Sequence, residues 1–322
     1  GASAAYGSDA VAGVVNIILK RNFQGVIVDA QKGVSERGDD KKDKFSLTVG
    51  SRGADGKAGL MAHLGYSKQG AVYAKDRGAA QDDISAAFLT DDAADLFRFT
   101  SPYYSSYAPQ GRIWGASGNF TFDKDGNIIP WSTNGNATTA AQGYNRQELR
   151  TIAIPTERFV FSTKGDYSFH KDHTIFMEGT YAQTQTRSKL EPFPLAAEDI
   201  FPSTGGQVPA EFLVNGVAVR NPMVPLAVYN LLNDTDGDGL KDYYFTRRIS
   251  EVGYRGNVAD RDTFRLVTGV KGTLLEKWDY DTYIGYGATK ESQVSSGQVN
   301  VLNFKNALQA VPDVGDVDGD GD

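Results

Sequence analysis

The stretch FVFSTKGDYSFHKDHTIFMEGTY, residues 159–181, decides the fold. Phe159, Phe161 and Tyr167 alternate with Ser162, Lys164 and Asp166. After the polar HKDH, Ile175, Met177 and Tyr181 alternate with Glu178 and Thr180. Successive side chains of a strand point to opposite faces, so each run predicts a strand with one oily and one ionic side. The short connection predicts a tight antiparallel hairpin.

The same period extends in both directions. Towards the start, Val26, Val28 and Ala30 alternate with Asp29 and Gln31; Phe45, Leu47 and Val49 with Ser46 and Thr48; Leu60, Ala62, Leu64 and Tyr66 with His63, Gly65 and Ser67. Towards the end, Phe264, Leu266 and Val270 alternate with Arg265 and Lys271, and Trp278, Tyr280, Ile284 and Tyr286 with Asp279 and Asp281. That predicts at least seven strands. Asp29, Lys164, Asp166, Glu178, Arg265, Lys271 and Asp281 then face one way, and such a face should be wet.

Connection lengths separate the possible architectures. RGADGK, HKDH and TLLEK are short, whereas SERGDDKKD, roughly residues 68–156, roughly 188–259 and everything after about 291 are long, and the two kinds strictly alternate. Compact soluble domains usually connect elements with about 4–6 residues. Brief turns at one end and extended loops at the other are instead the pattern of outer-membrane barrels. The long loops are expected to hold hairpins of their own, as in NFTFDKDGNIIPW with Asp125-Gly126 at its turn. Phe169 and Trp278, near strand ends, suit either an interfacial girdle or a packed core.

Composition agrees with an all-β chain. Its 322 residues include 36 Gly, 16 Tyr and 17 Phe but only 3 Met and 3 His. No window supplies the roughly 18 apolar residues of a spanning helix, and mean hydropathy is −0.39, so a membrane would have to be crossed by strands. The absence of Cys removes disulfide and thiolate chemistry. A net charge of −7 argues against a nucleic-acid partner. There is no initiator Met or signal segment, and the chain stops within DVGDVDGDGD, so it reads as an internal piece of a longer protein.

The opening run GASAAYGSDAVAGVVNIILKRN places glycines, which permit tight turns, before VVNIIL, an apolar strand suited to burial on both faces. Asn16 is its polar exception and is expected to bridge neighbouring backbone groups rather than touch a ligand. This run resembles the end of the plug domain of TonB-dependent outer-membrane receptors. Gly1, Ser3, Tyr6, Gly7, Ala10, Gly13, Val15, Asn16, Ile17 and Lys20 occupy the family's positions, and Ala12 departs where a second glycine is frequent. GVIVDAQKGVSERGDDKKDKFSLTVG, LGYSKQGAVYAKDR, PTERFVFSTKGDYSF, FMEGTYAQTQTRSKLEP and ADRDTFRLVTGVKG are similar to early barrel strands of the same family.

The resemblance implies an all-β fold: a plug remnant at 1–22, then, at 23–322, the first part of an antiparallel barrel of about 22 strands. It also implies a place in the bacterial outer membrane, contact with its lipid, coupling to the inner-membrane TonB system through a region not in this chain, and uptake of a scarce nutrient. Siderophore, cobalamin, saccharide and peptide all remain open as cargo, and no cofactor is required. The rivals are a passive porin or adhesin barrel and a secreted calcium-binding β-protein.

Two segments carry candidate ligand chemistry. In NDTDGDGLKDYY, Asp234, Asp236, Asp238 and Asp242 occupy the first, third, fifth and ninth places of a calcium loop, with Gly239 at the sixth. The twelfth place is Phe245, so the closing bidentate carboxylate is missing; the alternative is a solvated acidic loop. Asp316, Asp318, Asp320 and Asp322 begin a similar run. In SPYYSSYAPQGRIWG, Tyr103, Tyr104, Tyr107, Arg112 and Trp114 suit ligand capture by an outer loop or, equally, packing of the loop on itself. His63, His170 and His173 form no evident nucleophile and base arrangement, so no enzymatic activity is expected.

Overall fold

The computed structural model describes Val15 and residues 23–83, 85–88, 97–100, 102, 104–116, 118–134, 137–138 and 142–310. The plug motif (Gly1, Ser3, Tyr6, Gly7, Gly13 and Asn16), Tyr103 and the Asp316–Asp322 run lie outside the described residues.

Ten strands organise the chain: β1 (Gly25–Gly33), β2 (Lys42–Arg52), β3 (Ala58–Gln69), β4 (Arg112–Gly115), β5 (Gly118–Phe122), β6 (Ile128–Pro130), β7 (Thr156–His170), β8 (His173–Ala196), β9 (Asp242–Leu274) and β10 (Trp278–Ser296). Among the described residues three α-helices accompany them: α1 (Ala197–Ile200), α2 (Leu226–Tyr229) and α3 (Val301–Leu308). The long strands form one curled antiparallel sheet in the order β1-β2-β3-β7-β8-β9. The free side of β9 takes β10 along residues 256–274 and the β4-β5-β6 meander at 244–246.

Turn chemistry follows the sequence. Lys171 and Asp172 alone separate β7 from β8, residues 53–57 separate β2 from β3, and 275–277 separate β9 from β10. Leu275 and Glu276 take positive φ in that last turn, a conformation that costs non-glycine residues. The DKDG hairpin forms between β5 and β6, where Asp123 accepts the backbone N–H groups of Asp125 and Asn127.

The third long connection is shorter than the expected 188–259. β8 continues to Ala196 and β9 begins at Asp242, so the loop proper is 197–241. Both ends were hidden because the overhanging segments are buried on both sides, which erases the two-residue period. The register slips between Pro192↔Tyr254 and Phe193↔Ile249, leaving residues 250–253 as an outward bulge with Gly253 at φ 79°.

Register assigns the two faces of the sheet. Val26, Val49, Ala62, Thr163, Gly179, Leu266 and Tyr286 form one cross-sheet row on the apolar face. Asp29, Lys164, Asp166, Glu178, Arg265, Lys271 and Asp281 all fall on the other. The apolar face has no cover among the described residues: Leu60 is 62% exposed and Ile284 75%. The buried core sits elsewhere, at the long-loop end, where Leu195, Ile200, Phe201, Val208, Val224, Val228, Leu232, Tyr243 and Phe245 pack together under Phe304 and Leu308 of α3. Each such side chain contributes about 1.5–3 kcal/mol by leaving water, so the loops form a folded cap.

Candidate functional site

Three regions carry chemistry. The first is the polar face of the sheet. Arg52 Nη2 donates to Asp166 Oδ2 at 2.8 Å, Lys164 pairs with Glu178, and Arg265 approaches the same Glu178 at 3.8 Å. These groups line an open recess of about 550 Å³ with Lys271 and Asp281. The charges are interleaved in sign, four cations against three carboxylates, so most are paired and a small positive excess remains.

The apolar face is edged at both ends. Towards the cap, Tyr66 donates its hydroxyl to Glu157 and Tyr181 to Asp262, both at 2.8 Å. Phe159 lies against Tyr181, ring centroids 6.3 Å apart, and Phe264 against Tyr286 at 6.4 Å. Just above them stand Lys68, Gln185 and Asp260. Towards the turns, Phe169 stacks on His173, whose Nδ1 meets the Tyr280 hydroxyl at 3.0 Å, and Trp278 is 70% exposed. Phe169 and Trp278 therefore stand at a border, not in a core. Aromatic rings thus mark both edges, and at the cap end the Tyr66 and Tyr181 hydroxyls point away from the oily band.

The second region is the cap around the aromatic loop. Tyr104 donates to Asp82 Oδ1 at 2.9 Å, and burial followed by that bond pushes its pKa up. Tyr107, also raised by burial, presents its carbonyl to Arg248 Nε. The Arg112 guanidinium lies 4.8 Å from the ring centre of Trp114 and 5.2 Å from that of Trp131, and Nε donates to Asn119. Burial lowers the Arg112 pKa from its ordinary value. Trp114 in turn stacks on Tyr244 at 5.9 Å. Arg112 and Trp114 are thus brought together, whereas Tyr104 and Tyr107 serve loop packing at separate points. Beside Arg112 opens an apolar recess of about 310 Å³ lined by Phe122, Met223, Tyr243, Phe245 and Phe304.

The third region is the aspartate loop. Asp234 accepts the N–H groups of Asp236 and Gly237 on one oxygen and that of Gly239 on the other. Oxygens of Asp234, Asp236 and Asp242 lie within 4.8 Å of one another. The fourth expected ligand, Asp238, is not in this group; its carboxylate caps the Leu240 N–H at 2.8 Å. Phe245, at the twelfth place, is a core residue. Burial pushes the Asp242 carboxyl up, with repulsion from Asp236 and Asp234 adding to it and a Thr235 hydrogen bond opposing it.

No family model, curated protein or solved structure matches this chain. The geometry therefore stands on its own residues.

One cluster escaped the sequence reading. Glu191, 3% exposed, receives Arg150 Nη2 at 2.9 Å and Nε at 3.3 Å, with Arg255 at 3.4 Å and Arg248 at 3.9 Å. Arg248 is itself buried, donates to Tyr107, Pro192 and Ser105, and covers the Tyr144 ring. The signal was available in TRRISEVGYRG, where arginines interrupt an otherwise β-rich run. Only tertiary structure says that Arg248 and Arg255 converge on one carboxylate while Arg247 pairs with Glu251.

Proposed function

We propose that this chain forms part of the wall and outer loops of a TonB-dependent outer-membrane receptor that takes up a scarce nutrient. What supports the wall is the uncovered apolar band. From Phe159 to Tyr167 it covers about nine residues of strand, in the range of about 9–11 that a tilted strand needs to cross the apolar core of a membrane. Aromatic rings border it at both ends, and the opposite face is ionic. A soluble protein rarely leaves so wide an apolar patch bare.

β1 and β10 each have one unpaired edge among the described residues. In lipid such edges must be satisfied by further strands, in keeping with a larger closed wall. Energy coupling through TonB and the nutrient class rest on the sequence resemblance alone. Alternation of short turns and a packed cap gives the loops the position from which a ligand would be captured.

Since the chain has no native Cys, single cysteines report the faces cleanly. In the full reading frame expressed in outer membranes, Leu64→Cys and Leu266→Cys are expected to resist a small hydrophilic thiosulfonate until detergent is added. Thr180→Cys and Thr289→Cys should react. Equal reactivity of both faces would remove the proposal. Loss of nutrient accumulation on collapse of the proton-motive force would separate an energised receptor from a passive porin.

A further inference from the structure

We infer that the loop 234–242 is a calcium site whose protein ligands are Asp234, Asp236 and Asp242. This stands independently of the membrane reading. An acidic loop by itself is ordinary; the discriminating residue is Asp242. It is 7% exposed, and its Oδ1 is buried with no hydrogen-bond partner. A buried, unpaired carboxylate oxygen is costly, and two further carboxylates beside it compound the cost. A bound divalent cation removes both penalties.

The ligand set suits calcium. Oxygens of three aspartates lie within 4.8 Å of one another, close enough to share one ion. Ca²⁺ takes six to eight oxygens in flexible geometry, whereas Mg²⁺ demands a near-ideal octahedron, keeps its waters and is usually held by one or two carboxylates. Asp234 is already held by three backbone N–H groups, so its orientation is fixed before an ion arrives. Asp236 is exposed and leaves room for water to complete the shell.

The ion would sit where the loop rejoins the ribbon. Asp242 opens β9, pairs with Pro209 and donates its N–H to the Asn233 carbonyl. Two residues on, Tyr244 carries the Trp114 stack. Calcium would thus fix the start of β9 and the aromatic cluster of the cap together.

The test is calorimetric titration of the EDTA-treated protein with CaCl₂, comparing wild type with Asp236→Asn, Asp242→Asn and Asp238→Asn. Because Asp316–Asp322 form a second acidic run, the reading is the difference between variants. Wild type is expected to bind one more Ca²⁺ than Asp242→Asn, and Asp236→Asn to bind roughly tenfold more weakly or worse. Asp238→Asn should match wild type. In EDTA, Asp242→Asn should unfold no earlier than wild type. Asp236 is exposed, so its variant keeps the test valid if Asp242→Asn misfolds. Calcium binding unchanged in Asp236→Asn, or Mg²⁺ binding as tightly as Ca²⁺, would overturn the assignment.

Discussion

Replacing Glu191 by alanine is expected to destabilise the cap by about 3–5 kcal/mol, the range for stripping one partner from a buried ion cluster. Arg150, Arg248 and Arg255 all converge on this carboxylate, and Arg248 is only 1% exposed. Without Glu191, Arg248 keeps its bonds to Tyr107, Pro192 and Ser105 but loses its counter-charge, and like charges crowd around a void. Amide exchange in 142–150 and 242–258 should accelerate by roughly a hundredfold to a few thousandfold, since each 1.4 kcal/mol is about a factor of ten. Glu191→Gln, which keeps the shape and loses the charge, should fall in between. Unchanged exchange in Glu191→Ala would mean that the cluster is not what holds the cap.

The same carboxylate sets a pH dependence. Burial alone would raise Glu191, but hydrogen bonds from Arg150 and its own backbone amide, with the charges of Arg150 and Arg248, outweigh it and hold the pKa below the usual value. A group whose folded pKa is depressed contributes stability above its unfolded pKa and loses it as pH falls through the folded one. Cap stability should therefore be level near neutrality and decline in acid, from about pH 4.3 downwards. In Glu191→Gln that acid limb should flatten.

Leu266→Arg is the second large effect, at about 2–4 kcal/mol if the residue faces the bilayer midplane. Leu266 lies in the middle row of the apolar band, between Gly179 and Tyr286. Thr289→Arg, on the ionic face two residues from Glu291, should stay within about 0.5 kcal/mol. Denaturant titration of the liposome-reconstituted protein, followed by tryptophan fluorescence, compares the two. Equal effects would mean that the faces do not meet different solvents.

The sheet was legible because its residues alternate between an apolar and an ionic side, and that alternation writes a period of two. Phe45, Leu60, Phe264 and their ionic neighbours needed no tertiary information. The cap was not legible for the converse reason: Leu195, Val208 and Tyr243 come from distant segments and are buried on all sides, so no period survives. Among the candidate ligands, Asp234, Asp236 and Asp242 lie close together, but spacing could not foresee that Asp238 would turn onto Leu240. The loop aromatics divided in the same way, Arg112 and Trp114 meeting while Tyr104 and Tyr107 settled into packing.

Every neighbour in the seven-strand meander is the next long strand along the chain, and the intervening loops differ greatly in size. Closing a loop twice as long costs only about 0.6 kcal/mol more, so the sheet hardly registers what is inserted at its far end. The loops there can be enlarged, exchanged or diversified while the sheet beneath keeps its register, which makes that end the natural site for grafting a foreign epitope.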